Sequence, residues 1–367
     1  MLIRKSNART LYLCLVLFLL LSVRVGYCGY TADCAQAPTW TTGLWTESDC
    51  LRFEKSLDET AGPATPDRIS NNLLAVVPPH RYEGPPWPED RINRKVLNGG
   101  EISWEGVPGK SRIRVAAFMN RKTYLDLYHP CMFGGKDTQG GEHQPGGERK
   151  SVLKRGLWVT VAPELRNYFW AQPSLSCPPT KERIVQLLGL NPRRSYEVIV
   201  EMWVDPADLY RPTPDPEITD HRAEPAVRLD ETINFRGVDC MKWAFPNAVF
   251  FFSTDQSYQG WFACNAAATY YNPSAPENTA PWTRLGYTYD WAATRKHAGA
   301  SEFMIKLHPD VDGYGTEGAF VTYIRAIKAY DKSWSEYFRC EYRGGGIKSD
   351  RVPHADINLA AEQLTEQ

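Results

Sequence analysis

The sequence lacks most of the short patterns that announce a chemistry. None of its 9 cysteines forms a C-x-x-C pair, so a thioredoxin-like redox site and the usual zinc knuckles are excluded. Its 7 histidines are His80, His129, His143, His221, His297, His308 and His354, and no H-E-x-x-H exists to build a zincin. No G-x-S-x-G supplies a nucleophile elbow. A serine nucleophile elsewhere stays open, because triads are defined by geometry, but no serine is singled out. Neither sign of charge is in excess: 42 Lys and Arg stand against 43 Asp and Glu. That balance leaves no basic footprint for nucleic acid. No internal repeat of 20 to 50 residues points to a solenoid or propeller.

What is present begins at the N-terminus. Arg4, Lys5 and Arg9 precede a charge-free apolar run over 11–23, followed by Gly26, Tyr27 and Cys28. Thirteen residues are too few for a membrane span, which needs about 20, and fit the h-region of a secretory signal peptide over 1–28. Lipid attachment at Cys28 is the weaker alternative, since bulky Tyr27 stands where a small residue is expected. Removal of 1–28 takes away Arg4, Lys5, Arg9 and Arg24 and no acid, shifting the formal net charge from -1 to -5. No later apolar run reaches membrane length, so the expectation is a secreted or periplasmic chain with no transmembrane span. Export makes disulfides the default for Cys34, Cys50, Cys131, Cys177, Cys240, Cys264 and Cys340, an odd set with one thiol left over. Cys34 with Cys50 and Cys240 with Cys264 are the local pairings.

Local patterns predict mixed secondary structure. A helix starts near Ser48 and stops by Gly62-Pro63, and Thr180 caps a second one running to Gly189. Residues 111–119, 156–162, 195–204, 281–291 and 301–307 read as strands, with a short helix opening at Pro163-Glu164. From Thr316, the three-and-four spacing of Phe320, Tyr323, Ile324, Ile327, Tyr330, Trp334, Tyr337 and Phe338 predicts a helix with an aromatic face. The double glycines in 133–150 resemble a phosphate cradle only loosely: Asp137 follows Gly135-Lys136 where Ser or Thr is required, so a surface loop is expected. Five prolines in 78–90 make an extended connector and a candidate boundary. The predicted fold class is α+β, a central largely antiparallel sheet with packed helices and long Pro/Gly-rich loops. The expected organisation is a signal peptide over 1–28, a small subdomain over 29–90, the main domain over 91–342 and a flexible tail over 343–367.

Two constellations carry candidate chemistry. The strand 195–204 leads into a proline-stiffened loop, 208–221, that holds Asp208, Asp215, Glu217, Asp220 and His221. Asp215, Glu217 and His221 are candidate catalytic groups for a hydrolase, and Asp215, Glu217 and Asp220 offer oxygens to a divalent cation such as Ca²⁺. The spacing matches no EF-hand loop, and no other cofactor is indicated. The second constellation is aromatic, drawn from 12 tryptophans and 19 tyrosines. Trp282, Arg284, Tyr287 and Trp291 are the candidate ligand-binding residues, with Trp87 and Trp261 also beside prolines or glycines, because exposed rings stack on sugars. A weaker reading casts Arg211 or Arg284, Ser253-Thr254 and Glu302 as the parts of an NAD-dependent transferase. The expectation is a binding or interaction module for a glycan or polymer outside the cytoplasm, with an acidic-loop hydrolase as the alternative; the oligomeric state is not legible.

Overall fold

The structure is a computed structural model describing residues 34, 45–62, 65–76, 102–133, 135–136, 142–143, 151–153, 156–170, 176–223, 262, 265, 269, 276–294, 296–309 and 320–338. The apolar leader, the connector 78–90, Trp87, Trp261, Ser253-Thr254, the Cys240–Cys264 pairing and the tail 343–367 lie outside the described residues.

Twelve strands are described: β1 (Ile113–Met119), β2 (Gly135–Lys136), β3 (Glu142–His143), β4 (Ser151–Leu153), β5 (Leu157–Val161), β6 (Val198–Val204), β7 (Leu209–Tyr210), β8 (Tyr287–Tyr289), β9 (Ala298–Ser301), β10 (Phe303–Ile305), β11 (His308–Pro309) and β12 (Phe320–Tyr330). The main sheet runs β11-β12-β6-β1-β5-β10-β7, with β4 also on β12, and each of its pairings is antiparallel. Two small ribbons, β8-β9 and β2-β3, complete the pairing, the latter inside the glycine-rich stretch that reads as a loop. The chain is therefore a mixed α+β protein with one large antiparallel sheet.

Period-two alternation explains the sheet's two faces. Val198, Val200, Met202 and Val204 of β6 enter the main core with Ile113, Val115 and Ala117 of β1 and Leu157, Val159 and Val161 of β5. The intervening Ile199 and Ala116 turn to the opposite face, where α2 (Ala162–Trp170) and α3 (Lys181–Leu187) pack Leu165, Phe169, Ile184 and Leu187 over them. Burial on both faces accounts for the near-continuous apolar run of β6.

The first helix, α1 (Glu47–Ala61), starts where its capping box forms: Thr46 Oγ1 accepts from Asp49 N at 3.1 Å, and Asp49 Oδ2 accepts from Thr46 N at 3.0 Å. Cys34 and Cys50 form a disulfide, which ties this helix to the preceding segment. Its Phe53 and Leu57 pack with Trp45, Val185, Tyr196, Tyr289 and Trp291. Thr180 caps α3 through a hydrogen bond from Arg183 N, as its position before the apolar repeat predicts.

One element differs in kind from its sequence signal. The expected aromatic helix after Thr316 is instead the 11-residue strand β12, followed by a 3₁₀ turn at Trp334–Phe338. The register of β12 on β6 shifts between Ala326 and Lys328. Arg325, Lys328 and Tyr330 therefore oppose Trp203, Glu201 and Ile199, while Ala326 and Ala329 oppose Met202 and Val200. A bulge turns a two-residue period into a three-residue step, and a three-residue step imitates a helix.

Candidate functional site

The acidic loop leaves the sheet after β7, and its first residue sets its shape. Arg211 is fully buried, with Nη1 2.6 Å from Asp220 Oδ1 and Nη2 donating to Asp220 O at 3.0 Å and Leu74 O at 3.2 Å. Its guanidinium lies 5.7 Å from the centre of the Phe303 ring. Backbone bonds lock the loop onto residues 73–76: Leu73 N donates to His221 O, and Val76 N to Ile218 O. The His221 ring turns inward as well, and its Nδ1 donates to Leu73 O at 2.7 Å. Burial lowers the His221 pKa, so the imidazole is neutral and carries its proton on Nδ1.

Of the predicted site residues here, Asp220 and His221 are thus drawn into fold-holding contacts. Asp215 is part-buried and Glu217 is exposed; Glu217 accepts from Thr219 Oγ1 at 3.3 Å. Partial burial, then the charges of Asp220 and Asp215, raise the Glu217 pKa. Among the described residues no group of three or more His, Cys, Asp and Glu side chains is placed to hold a metal ion. Asp208 does meet a histidine, but a different one. His308 Nε2 lies 2.7 Å from Asp208 Oδ1, with the imidazole half exposed. Burial raises the Asp208 pKa, partly offset by that histidine.

The aromatic candidates are interior, which overturns the expectation of an exposed groove. Trp282 and Trp291 keep only 4% and 2% of their surface, and Tyr287 is equally covered. Trp291 packs beside α1, 5.5 Å from Trp45 and 5.9 Å from Phe53, ring centre to ring centre. Arg284, at φ 57°, points its Nη2 at Thr60 O and Gly62 O, closing the C-terminal end of α1.

Among the described residues, the exposed tryptophan is one that the sequence pattern does not single out. Trp158 is the second residue of β5 and is 38% exposed, between Leu157 and Val159, which are buried. It stands edge-on against Trp282 at 5.6 Å, and Trp282 in turn meets Phe262 at 5.0 Å. Across the ladder Trp158 opposes Met304, and Met304 opposes Tyr210, whose hydroxyl donates to the Met304 sulfur. The signal was available in GLWVTVA. Alternation puts Trp158 and Thr160 together on the face away from Leu157, Val159 and Val161.

Glu302 lies at the junction of β9 and β10. Its backbone N donates to Gly286 O at 2.9 Å, and the neighbouring Ser301 is held by Glu164 of α2 through both N and Oγ. Desolvation pushes the Glu302 carboxyl well above the ordinary carboxylate range.

No family model, no curated protein and no solved structure matches this chain. No helix among the described residues is long and apolar enough to cross a membrane.

Proposed function

We propose that this protein is a binding module acting outside the cytoplasm, and that it presents the sheet face around Trp158 to a hydroxyl-rich ligand such as a glycan. The observation that carries the reading is the exposure of Trp158 amid a buried strand, with Trp282 and Phe262 behind it. An indole held rigid from behind costs little ordering entropy when it stacks on an apolar sugar face. The Cys34–Cys50 disulfide, the disulfide-bonded state of Cys177 and the apolar leader support an oxidising compartment. The test is co-sedimentation of the full chain with insoluble cellulose, chitin and peptidoglycan, with intrinsic tryptophan fluorescence against soluble fragments of each. Retention that falls at least about tenfold in Trp158→Ala, or about 1.4 kcal/mol, is the expected result. Equal retention of the two proteins rejects the reading.

One pair favours hydrolysis as a second reading. Asp208 orients His308 as a carboxylate orients a general base, with the other imidazole nitrogen turned from that bond. Wild-type turnover of chromogenic esters and glycosides that His308→Gln and Asp208→Asn both abolish is the expected result. Absence of turnover in the wild type rejects it.

A further inference from the structure

Cys177 is disulfide-bonded, and Cys34 and Cys50 bond to each other, so beyond the leader its partner is Cys131, Cys240, Cys264 or Cys340. The described residues around Cys177 choose among them. Cys177 precedes Thr180, the cap of α3, and packs against the cluster on the helical face of the sheet, which joins Ala162, Leu165 and Phe169 of α2 to Tyr337 and Phe338. The turn Trp334–Phe338 is fixed there by three contacts. Arg166 Nε donates to Tyr337 O at 2.8 Å, the Tyr337 hydroxyl donates to Ala162 O, and the rings of Phe169 and Phe338 meet edge to face at 5.3 Å.

Chain reach singles out one cysteine. Cys340 follows the fully buried Phe338 by two residues. Two residues span at most about 7 Å, and the Cα atoms of bonded cysteines lie about 4.4–6.8 Å apart, so the sequence tethers Cys340 to the cluster that Cys177 touches. Cys131 belongs instead to the helical segment His129–Phe133, whose Met132 lies in the main core on the opposite face of the sheet. Cys264 follows Phe262 by two residues, and Phe262 packs on Trp282, next to Pro281, which borders Gly189 beyond the C-terminal end of α3. Cys177 stands before the other end of that helix, which is about 10 Å long. Cys240 is the local partner that the sequence offers to Cys264.

From this arrangement we propose that Cys177 and Cys340 form a disulfide that staples the segment after β12 to the connection between α2 and α3. The bond forms by thiol–disulfide exchange: a donor disulfide of the oxidising compartment takes up the two electrons and two protons of the cysteine thiols and leaves as two thiols. The consequence is structural cover. The turn Trp334–Phe338, α2 and α3 lie over Ala116 and Ile199, and the staple makes them one covalently joined layer on the helical face. Because the bond closes the long loop 177–340, it removes much of the freedom of the unfolded chain.

Peptide mapping of the full chain, recovered from export, tests the pairing. The protein is alkylated in its native state, digested with trypsin without reduction and analysed by mass spectrometry. Peptides 167–181 and 340–343 are expected as a linked pair that separates on reduction. Linkage of 167–181 to a peptide carrying Cys131, Cys240 or Cys264 overturns the proposal, and so does an unlinked 167–181. Thermal unfolding gives a second measurement. Cys177→Ser and Cys340→Ser are each expected to lower the Tm by about 5–10 °C, and the double variant to fall no further than either, because all three lose the same closed loop. A Cys340→Ser protein that melts with wild type while Cys177→Ser melts lower overturns the pairing as well. If neither variant folds, the peptide map of the wild type decides.

Discussion

Arg211 and Asp220 stand at opposite ends of the acidic loop, yet their side chains meet at 2.6 Å, with the guanidinium fully buried. The carboxylates that follow are therefore arranged around an internal cation. Truncating one member of such a pair strands the other, and the cost is set by how deeply the stranded charge lies. Arg211→Ala is expected to lose about 3–5 kcal/mol of unfolding free energy in urea titrations, through lost packing on Phe303 as well as lost charge. Asp220→Asn keeps one hydrogen bond to the guanidinium and is expected to lose less, about 1–3 kcal/mol. Equal midpoints for Asp220→Asn and wild type show that the pair does not hold the loop.

Gly286 depends on the same arginine. A Cβ at this position meets Arg211 Cδ at 2.5 Å and Cγ at 3.0 Å, and the backbone is already left-handed at φ 77°. The left-handed conformation alone costs an alanine about 1–2 kcal/mol. Gly286→Ala is expected to exceed that in the wild-type background and to fall back toward it when Arg211 is also alanine. A double-mutant cycle measures the coupling. Additivity of the two changes removes the steric explanation.

Glu201 occupies the centre of the sheet's helical face without exposure to solvent. Arg114 Nη2 lies 2.6 Å from one of its oxygens, Arg166 Nη2 lies 3.1 Å from the other, and the Tyr330 hydroxyl donates to Oε2 at 2.8 Å. Glu201→Leu leaves two guanidinium groups under α2 and is expected to cost about 3–5 kcal/mol. Replacing Glu201, Arg114 and Arg166 together by Leu, Met and Met is expected to recover most of that loss, because no buried charge is then stranded. A triple variant no more stable than Glu201→Leu, measured by thermal and urea unfolding, shows that the hydrogen bonds of the cluster outweigh its desolvation.

Local signals were legible where one force dominated. The start of α1 near Ser48, the cap at Thr180 and the alternation of Val198, Val200 and Met202 appear in the structure within a few residues of their predicted places. At β12 a single bulge at Ile327 gives the strand a three-residue step that imitates a helical period. Composition failed for Trp282 and Trp291, since neighbouring glycines and prolines do not reveal whether a helix 230 residues earlier in the chain will cover a ring. Trp291 is covered by α1, through Phe53 and Leu57, whereas Trp282 packs with Phe262 and Trp158. The acids of 208–221 are legible, but nothing local marks Arg211, which the sequence offers only as a transferase arginine, as the buried partner of Asp220. Trp158 and Thr160 were hidden by the opposite error, in which a strand read as wholly buried was denied a second face.

The carboxyl of Glu302 makes stability depend on pH with a definite sign. Its folded pKa is raised well above the value of 4.5 that it takes when unfolded, so the folded protein holds this proton more tightly. Below the unfolded value both states are protonated, and the group contributes no slope. As pH rises through that value the unfolded chain releases the proton first, and stability falls until the folded pKa is passed, by at most about 1.4 kcal/mol per pH unit for one proton. Glu302→Gln cannot ionise and lacks this slope, while the remaining carboxylates, Glu164 beside Ser301 among them, contribute alike in both proteins. The variant is expected to match wild type near pH 4 and to become progressively the more stable of the two toward pH 8. Urea midpoints across that range check it, and parallel curves for the two proteins show that Glu302 folds as an ordinary ionised carboxylate.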